Sequence, residues 1–213
     1  PERGTDIVLL ELTGEFPADE LRGVERQAQP LDAYREFAER GRGDAAKPGD
    51  RVTHRAVYLE VRTDEGVTGI FGPVDGPHAP ILRREIRDFV VGRDPFAIEQ
   101  LWDLLLRRNR HARSGYYLMA MSALDCALWD LKGKALGVPV YQLLGGLTRA
   151  EVPAYASMLG FSLEPEALAL RAQECQALGY DAQKWFFRNG PGQGGAGATQ
   201  NVALVRTLRE AVG

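Results

Sequence analysis

The last third of the chain alternates strand-like and helix-like segments at a spacing that leaves little choice of fold. Residues 151–157 (EVPAYAS) read as a strand, 163–178 as a helix, 180–187 (YDAQKWFF) as a strand and 200–212 as a helix. A strand, a crossover helix and a second strand in that order place both strands parallel in one sheet, with a right-handed connection. The chain before residue 148 has a different pattern. Residues 6–13 (DIVLLELT) are rich in β-formers, and 55–62 and 67–72 (RAVYLEVR, VTGIFG) flank Thr63-Asp64-Glu65-Gly66. Two short strands across a glycine-containing turn predict an antiparallel hairpin.

Helices are predicted at 78–91, 96–109 and 116–136. Gly92 stops the first of these and Pro95 can open the second. In the second, Phe96, Leu101, Leu104 and Leu105 fall on one side. In the third, Tyr117, Met121, Leu124, Leu128, Leu131 and Ala135 form one apolar stripe, and Asp130 and Lys134 make an i,i+4 pair. Ser114 and Gly115 shape the start of that helix, and Gly137 followed by Pro139 ends it. Trp102, Trp129 and Phe96 read as core. Residues 14–50 are polar and irregular, with one helix around 32–40, and read as a long loop. An α+β module, residues 1–147, therefore precedes the beginning of an α/β module, residues 148–213.

Composition narrows the functional classes. The formal charge of −3 over 213 residues lacks the concentrated basic surface that nucleic acid calls for. The longest apolar stretches fall far short of the ~20 residues that span a bilayer. Cys126 and Cys175 are the only cysteines, and both sit in helix-like apolar patterns, which predicts buried free thiols in a reducing compartment. With no leader-like segment at the start, a cytoplasmic protein is expected. The ends, at Pro1 and Gly213, read as cut or processed.

Residues 192–197 (GQGGAG) spell G-x-G-x-x-G, the letters of a dinucleotide-binding turn. The context argues against that use. The preceding strand carries Lys184 where a central strand is apolar throughout, and Arg188-Asn189-Gly190-Pro191 intervene before the first glycine. No acidic residue closes a second strand ~20 residues on.

Lys184 is more informative. Side chains alternate along a strand, so Lys184, Phe186 and Arg188 are expected on one face and Trp185 and Phe187 on the other. Two cations towards the carboxyl end of a parallel strand lie where α/β folds place their active sites. They fit equally well as solvated strand-end charges. His54 and Arg55, just before the second strand, could reach a polyol or carboxylate, or could be a surface pair. His78 and His111 read as surface residues, and Asp125 and Asp130 as helix-surface or packing carboxylates.

The segment SALDCALWDLKGKALGVPVYQLLGG (122–146) resembles the signature helix of the mandelate racemase/muconate lactonizing branch of the enolase superfamily. The resemblance implies an α+β capping domain followed by the first βα units of a TIM-type (β/α) barrel, with the barrel incomplete in this chain. The family's second barrel strand carries G-[YF]-x-x-x-K-x-K. Here Gly179-Tyr180-Asp181-Ala182-Gln183-Lys184-Trp185-Phe186 matches as far as Lys184, which the resemblance assigns to the substrate carboxylate and its enolate. The second lysine of the pattern, the racemases' base, is Phe186, which cannot take a proton and counts against racemisation.

Residues 190–213 are similar to the corresponding loop and helix of rhamnonate dehydratase-like sugar-acid dehydratases. That likeness implies loss of the proton beside a carboxylate, then of the β-hydroxyl as water, with Mg²⁺ as cofactor and an acid sugar as substrate. Arg188, Arg55 and His54 become candidates for substrate binding, and residues 15–50 and 72–78 for specificity loops. The family's metal carboxylates and base histidine come from later strands, so the metal ligands are expected beyond Gly213. The native protein is expected at about twice this length, self-associating, and this chain alone inactive. A racemase, epimerase or cycloisomerase of the same family, and a non-catalytic interaction module, are the alternatives.

Overall fold

The computed structural model describes residues 5–17, 27–38, 50–74 and 76–213. They fall into two compact units, one of residues 1–14 and 54–150, the other of 15–53 and 151–213. Much of the loop expected at 14–50 lies outside the described residues.

The first unit is built on a three-stranded sheet in the order β1-β2-β3, formed by Thr5–Pro17, Arg51–Thr63 and Thr68–Phe71. β1 and β2 are longer than the sequence predicts, and each continues into the residues of the second unit. The hairpin forms as expected: β2 and β3 pair antiparallel from Leu59↔Phe71 to Arg62↔Thr68. Leu59 and Val61 are wholly buried, while Glu60 between them turns to the other face and pairs with Arg62 at 2.7 Å.

Helices cover the buried face. α1 is the short Arg35–Ala38 in the second unit. α2 (His78–Ile81) runs through a π turn at Leu82–Ile86 into α3 (Arg87–Val90). α4 spans Ile98–Arg108, and α5, Gly115–Leu136, is the central helix. Pro95 is buried ahead of α4 but does not open it; Asp94 Oδ1 instead accepts the Phe96 N–H at 2.9 Å, one turn earlier. On α5 the predicted stripe is buried from Tyr117 to Leu131, but Ala135 is exposed. The buried arc is also wider than one stripe, because Ala120, Ala123 and Ala127 let neighbouring elements come close. Gly69 of β3 shows how close: a Cβ there would run into the Ala127 carbonyl and lie 2.7 Å from Leu131 Cβ. α5 ends as predicted. Gly137 takes φ +69°, its N–H bonds Lys134 O, and the Val138 N–H reaches back to Gly133 O. α6, Val140–Leu143, follows.

The second unit contains the predicted parallel pair. β4 (Ala156–Ser157) and β5 (Gln183–Lys184) are joined by α7 (Pro165–Ala177), with Ala156↔Gln183 and Ser157↔Lys184 in register. The strands are shorter than expected, and past the carboxyl end of each the chain turns away. The Phe161 N–H bonds back to Met158 O, and beyond Lys184 Phe186 drops into a cluster with Leu163 and Leu168. α8 runs Gly194–Val212, starting six residues earlier than the sequence suggests, and packs Leu204 and Leu208 on that cluster. Cys175 is buried beside Met158, but Cys126 is exposed, contrary to expectation, because it lies off the buried arc of α5; both are free. Among the described residues no helix is long and apolar enough to cross a membrane.

Candidate active site

Lys184 is the last residue of β5. Its carbonyl accepts the Met158 N–H at 2.9 Å, which fixes its backbone to β4. Its side chain is exposed and makes no hydrogen bond or ion pair among the described residues. A lysine at the carboxyl end of a parallel strand, unpaired and accessible, is placed to meet an anion.

The face sharing expected beyond Lys184 does not hold. With the strand ended, strict alternation lapses: Phe186 is 5% exposed, in the cluster with Leu163 and Leu168, while Phe187 is exposed. Arg188 is half-buried, and its Nη2 donates to Glu164 Oε1 at 3.0 Å, just ahead of α7. Lys184 and Arg188 both belong to the second unit; His54 and Arg55 belong to the first. The latter two lie inside β2 instead of before it, because β2 starts at Arg51. As neighbours on a strand they point to opposite faces, so they cannot grip one group together. Arg55 is 3.6 Å from Glu11 Oε1, and both side chains are well exposed. Such a pair contributes little.

The glycine-rich stretch is structural. Pro191–Gln193 form a 3-10 turn, and Gly190 N–H donates to Gln193 Oε1 at 2.7 Å. Gly194, Gly195 and Gly197 belong to the start of α8, so they do not form the connecting loop. Gly197 is buried where a Cβ would fall 3.0 Å from that of Asn189.

Three polar residues that the sequence did not single out brace this region: Asp32, Asn189 and Asn201. Asp32 and Asn189 are buried, and Asn189 Nδ2 donates to Gln200 Oε1 at 2.9 Å. Their partners are distant in sequence or lie across a turn, so no local motif marks them.

On the first unit, His78 Nε2 lies 3.2 Å from Met119 Sδ and His111 is exposed, both at the surface as expected. Asp130 pairs with Lys134 at 2.6 Å. Asp125 has no such partner among the described residues; burial pushes its carboxyl above the ordinary range, and the charge of Glu99 adds to this. Among the described residues no group of three or more His, Cys, Asp or Glu could hold a metal ion. The described residues do not supply a Mg²⁺ site. A groove of about 570 Å³ runs along α8 beside Phe187, Val202 and Val205, and Lys184 is not among the residues that line it.

Comparison with known proteins follows the same lines. Residues 47–145 match the family described as mandelate racemase / muconate lactonizing enzyme, N-terminal domain. Over 171 residues the chain is 36% identical to a D-galactonate dehydratase of Pectobacterium atrosepticum, covering 76% of this chain and 44% of that protein. A crystal structure of an enolase-superfamily member from Polaromonas sp. JS666 superposes with a TM-score of 0.69 at 26% identity, over 99% of this chain and 49% of the other. The 3,6-anhydro-D-galactonate cycloisomerase of Zobellia galactanivorans superposes with a TM-score of 0.63 at 31% identity, over 76% and 44%. The chain thus spans about half the length of the relatives it matches.

Proposed function

The chain belongs to the mandelate racemase/muconate lactonizing enzyme branch of the enolase superfamily, and we propose that it is the cap and the first barrel strands of an acid-sugar dehydratase. In this reading residues 1–147 are the capping domain and 148–213 open the (β/α) barrel. The substrate is an aldonate-type acid sugar, which loses the proton beside its carboxylate and then its β-hydroxyl as water. The observation that carries the reading is Lys184: an exposed ammonium with no bonding partner among the described residues, held by β-pairing to Ser157, in a chain related to D-galactonate dehydratases.

The chemistry asks for such a group. A proton beside a carboxylate is very weakly acidic, so a fixed positive charge must meet the charge that grows as it leaves. Lys184 neutralises the carboxylate, and Arg188 binds the carboxylate or a hydroxyl once it exchanges Glu164 for substrate. Mg²⁺ would add Lewis-acid stabilisation in the whole enzyme, through ligands sought outside residues 1–213. Phe186 in place of a second lysine disfavours racemisation. The cycloisomerase relative keeps one second reading open, cyclisation of the same carboxylate class.

The test is turnover of galactonate and related acid sugars by the whole protein with Mg²⁺, with products identified by mass. A 2-keto-3-deoxy acid is expected, abolished by Lys184→Met. A product of unchanged mass would instead favour isomerisation, and no turnover of any acid sugar would sink the proposal.

A further inference from the structure

Arg188 is held by its neighbours on both sides. The Phe187 carbonyl accepts the Ala28 N–H at 2.8 Å, and the Asn189 carbonyl accepts Nδ2 of Asn201 at 2.9 Å. Two stretches far apart in sequence thus hold the carbonyls of the two residues that flank one arginine. Behind the first bond stands Asp32. It is wholly buried, and its Oδ2 accepts the Gln29 N–H at 2.8 Å, closing the turn that presents Ala28. Gly190 makes room for that turn, since a Cβ there would lie 3.2 Å from Asp32 Cβ and 3.6 Å from Ala28 Cβ. Behind the second bond stands α8, which contributes Asn201 and, through Gln200, holds the buried Asn189 side chain.

Burying a carboxylate and an amide is costly unless their bonds are made, and a solvated strand-end arginine needs neither. Resting on the assignment of Arg188 to the substrate, we propose that Asp32 and Asn201 are positioning residues that hold Arg188 in its substrate-binding geometry. Neither touches the reacting atoms. They set where the guanidinium sits, and Lys184, fixed separately through β4, is independent of them.

The proposal predicts a split between binding and turnover. In the whole protein acting on galactonate, Asp32→Ala and Asn201→Ala each raise KM about tenfold while kcat stays within about twofold, as loss of a preorganised ground-state contact requires. Asp32→Asn keeps an acceptor for Gln29 and restores a near-native KM. A fall in kcat at unchanged KM, or Asp32→Asn as impaired as Asp32→Ala, overturns it. Should galactonate and its relatives not be turned over, the dehydratase reading fails, and hydrogen exchange decides this point separately. Faster exchange of the Ala28 amide in Asp32→Ala, against unchanged α5 amides, supports the clamp; native protection overturns it. If Asp32→Ala does not fold, Gly190→Ala, whose Cβ would crowd the same turn at 3.2 Å from Asp32 Cβ, takes its place in both measurements.

Discussion

Oδ2 of Asp130 accepts the backbone N–H of Ile70 at 2.8 Å, so a carboxylate on α5 satisfies a donor on the outer edge of β3. The same oxygen holds Lys134 Nζ at 2.6 Å, and that ammonium also donates to Thr68 O at 3.2 Å. The edge strand is thereby closed by two side chains in place of another strand.

The two partners should not be equal. Asp130→Ala leaves the Ile70 amide without its charged acceptor and is expected to cost about 1–3 kcal/mol. Lys134→Ala removes a half-exposed ion pair and the bond to Thr68 O, with the Ile70 amide still paired, and is expected to cost less, about 1 kcal/mol. Urea midpoints at constant m-value measure both. Equal losses would show that the ion pair, and not the edge amide, carries the contact.

Gly69 tests the packing beneath that edge. Gly69→Ala places a Cβ against the Ala127 carbonyl and 2.7 Å from Leu131 Cβ, with backbone and buried helix on the other side. Strand and helix must separate, at an expected cost of about 3 kcal/mol or more. Gly66, where an added Cβ meets nothing but φ is +80°, should respond more mildly to the same substitution. Comparing the two by thermal unfolding separates crowding from backbone strain.

What the sequence disclosed follows from what is local. The β2–β3 hairpin, the α5 stripe and the Gly137 stop rest on periodicity and backbone preference, and all three are present, the stripe as far as Leu131. The parallel pairing of β4 and β5 was legible from element order, and its shortness was not, because strand ends depend on where Phe161 and Phe186 turn away. At the candidate site, Lys184 stands out in the sequence by its place near the carboxyl end of a strand, and the family pattern then falls on it. The side-chain alternation beyond it failed once the strand stopped, sending Phe186 inwards. Asp32 and Asn201 were invisible because their significance lies in contacts with Gln29, Ala28, Phe187 and Asn189 that only the fold assembles.

Asp125 gives a pH signature. Burial, then the nearby charge of Glu99, raises its carboxyl above the ordinary range. The folded chain therefore keeps this proton to higher pH than the unfolded chain. Between the ordinary carboxylate range and the raised value the folded state binds more protons, so this group makes stability fall as pH rises. Above both values the penalty is complete. Asp125→Asn is thus expected to be more stable than the native protein at neutral pH, with the difference closing below about pH 4. Denaturant titrations at several pH values check this; a difference that does not change with pH would mean that Asp125 titrates as an ordinary exposed carboxylate.

Phe186 occupies the place of the family pattern's second lysine, which suggests Phe186→Lys as a route to racemase chemistry. The structure argues for another outcome. Phe186 is 5% exposed and packs with Leu163 and Leu168, against which Leu204 and Leu208 of α8 also sit. A lysine there would have to bring its ammonium among leucine side chains or tear α8 from α7. Either is expected to cost more than about 3 kcal/mol. Phe186→Leu, which keeps the cluster apolar, should cost about 1–2 kcal/mol. The expected result is a large drop in melting temperature and no gain of racemisation for Phe186→Lys, against a small drop for Phe186→Leu. A Phe186→Lys protein that melts like the native one and exchanges its substrate's α-proton would place residue 186 on the side of Lys184 after all.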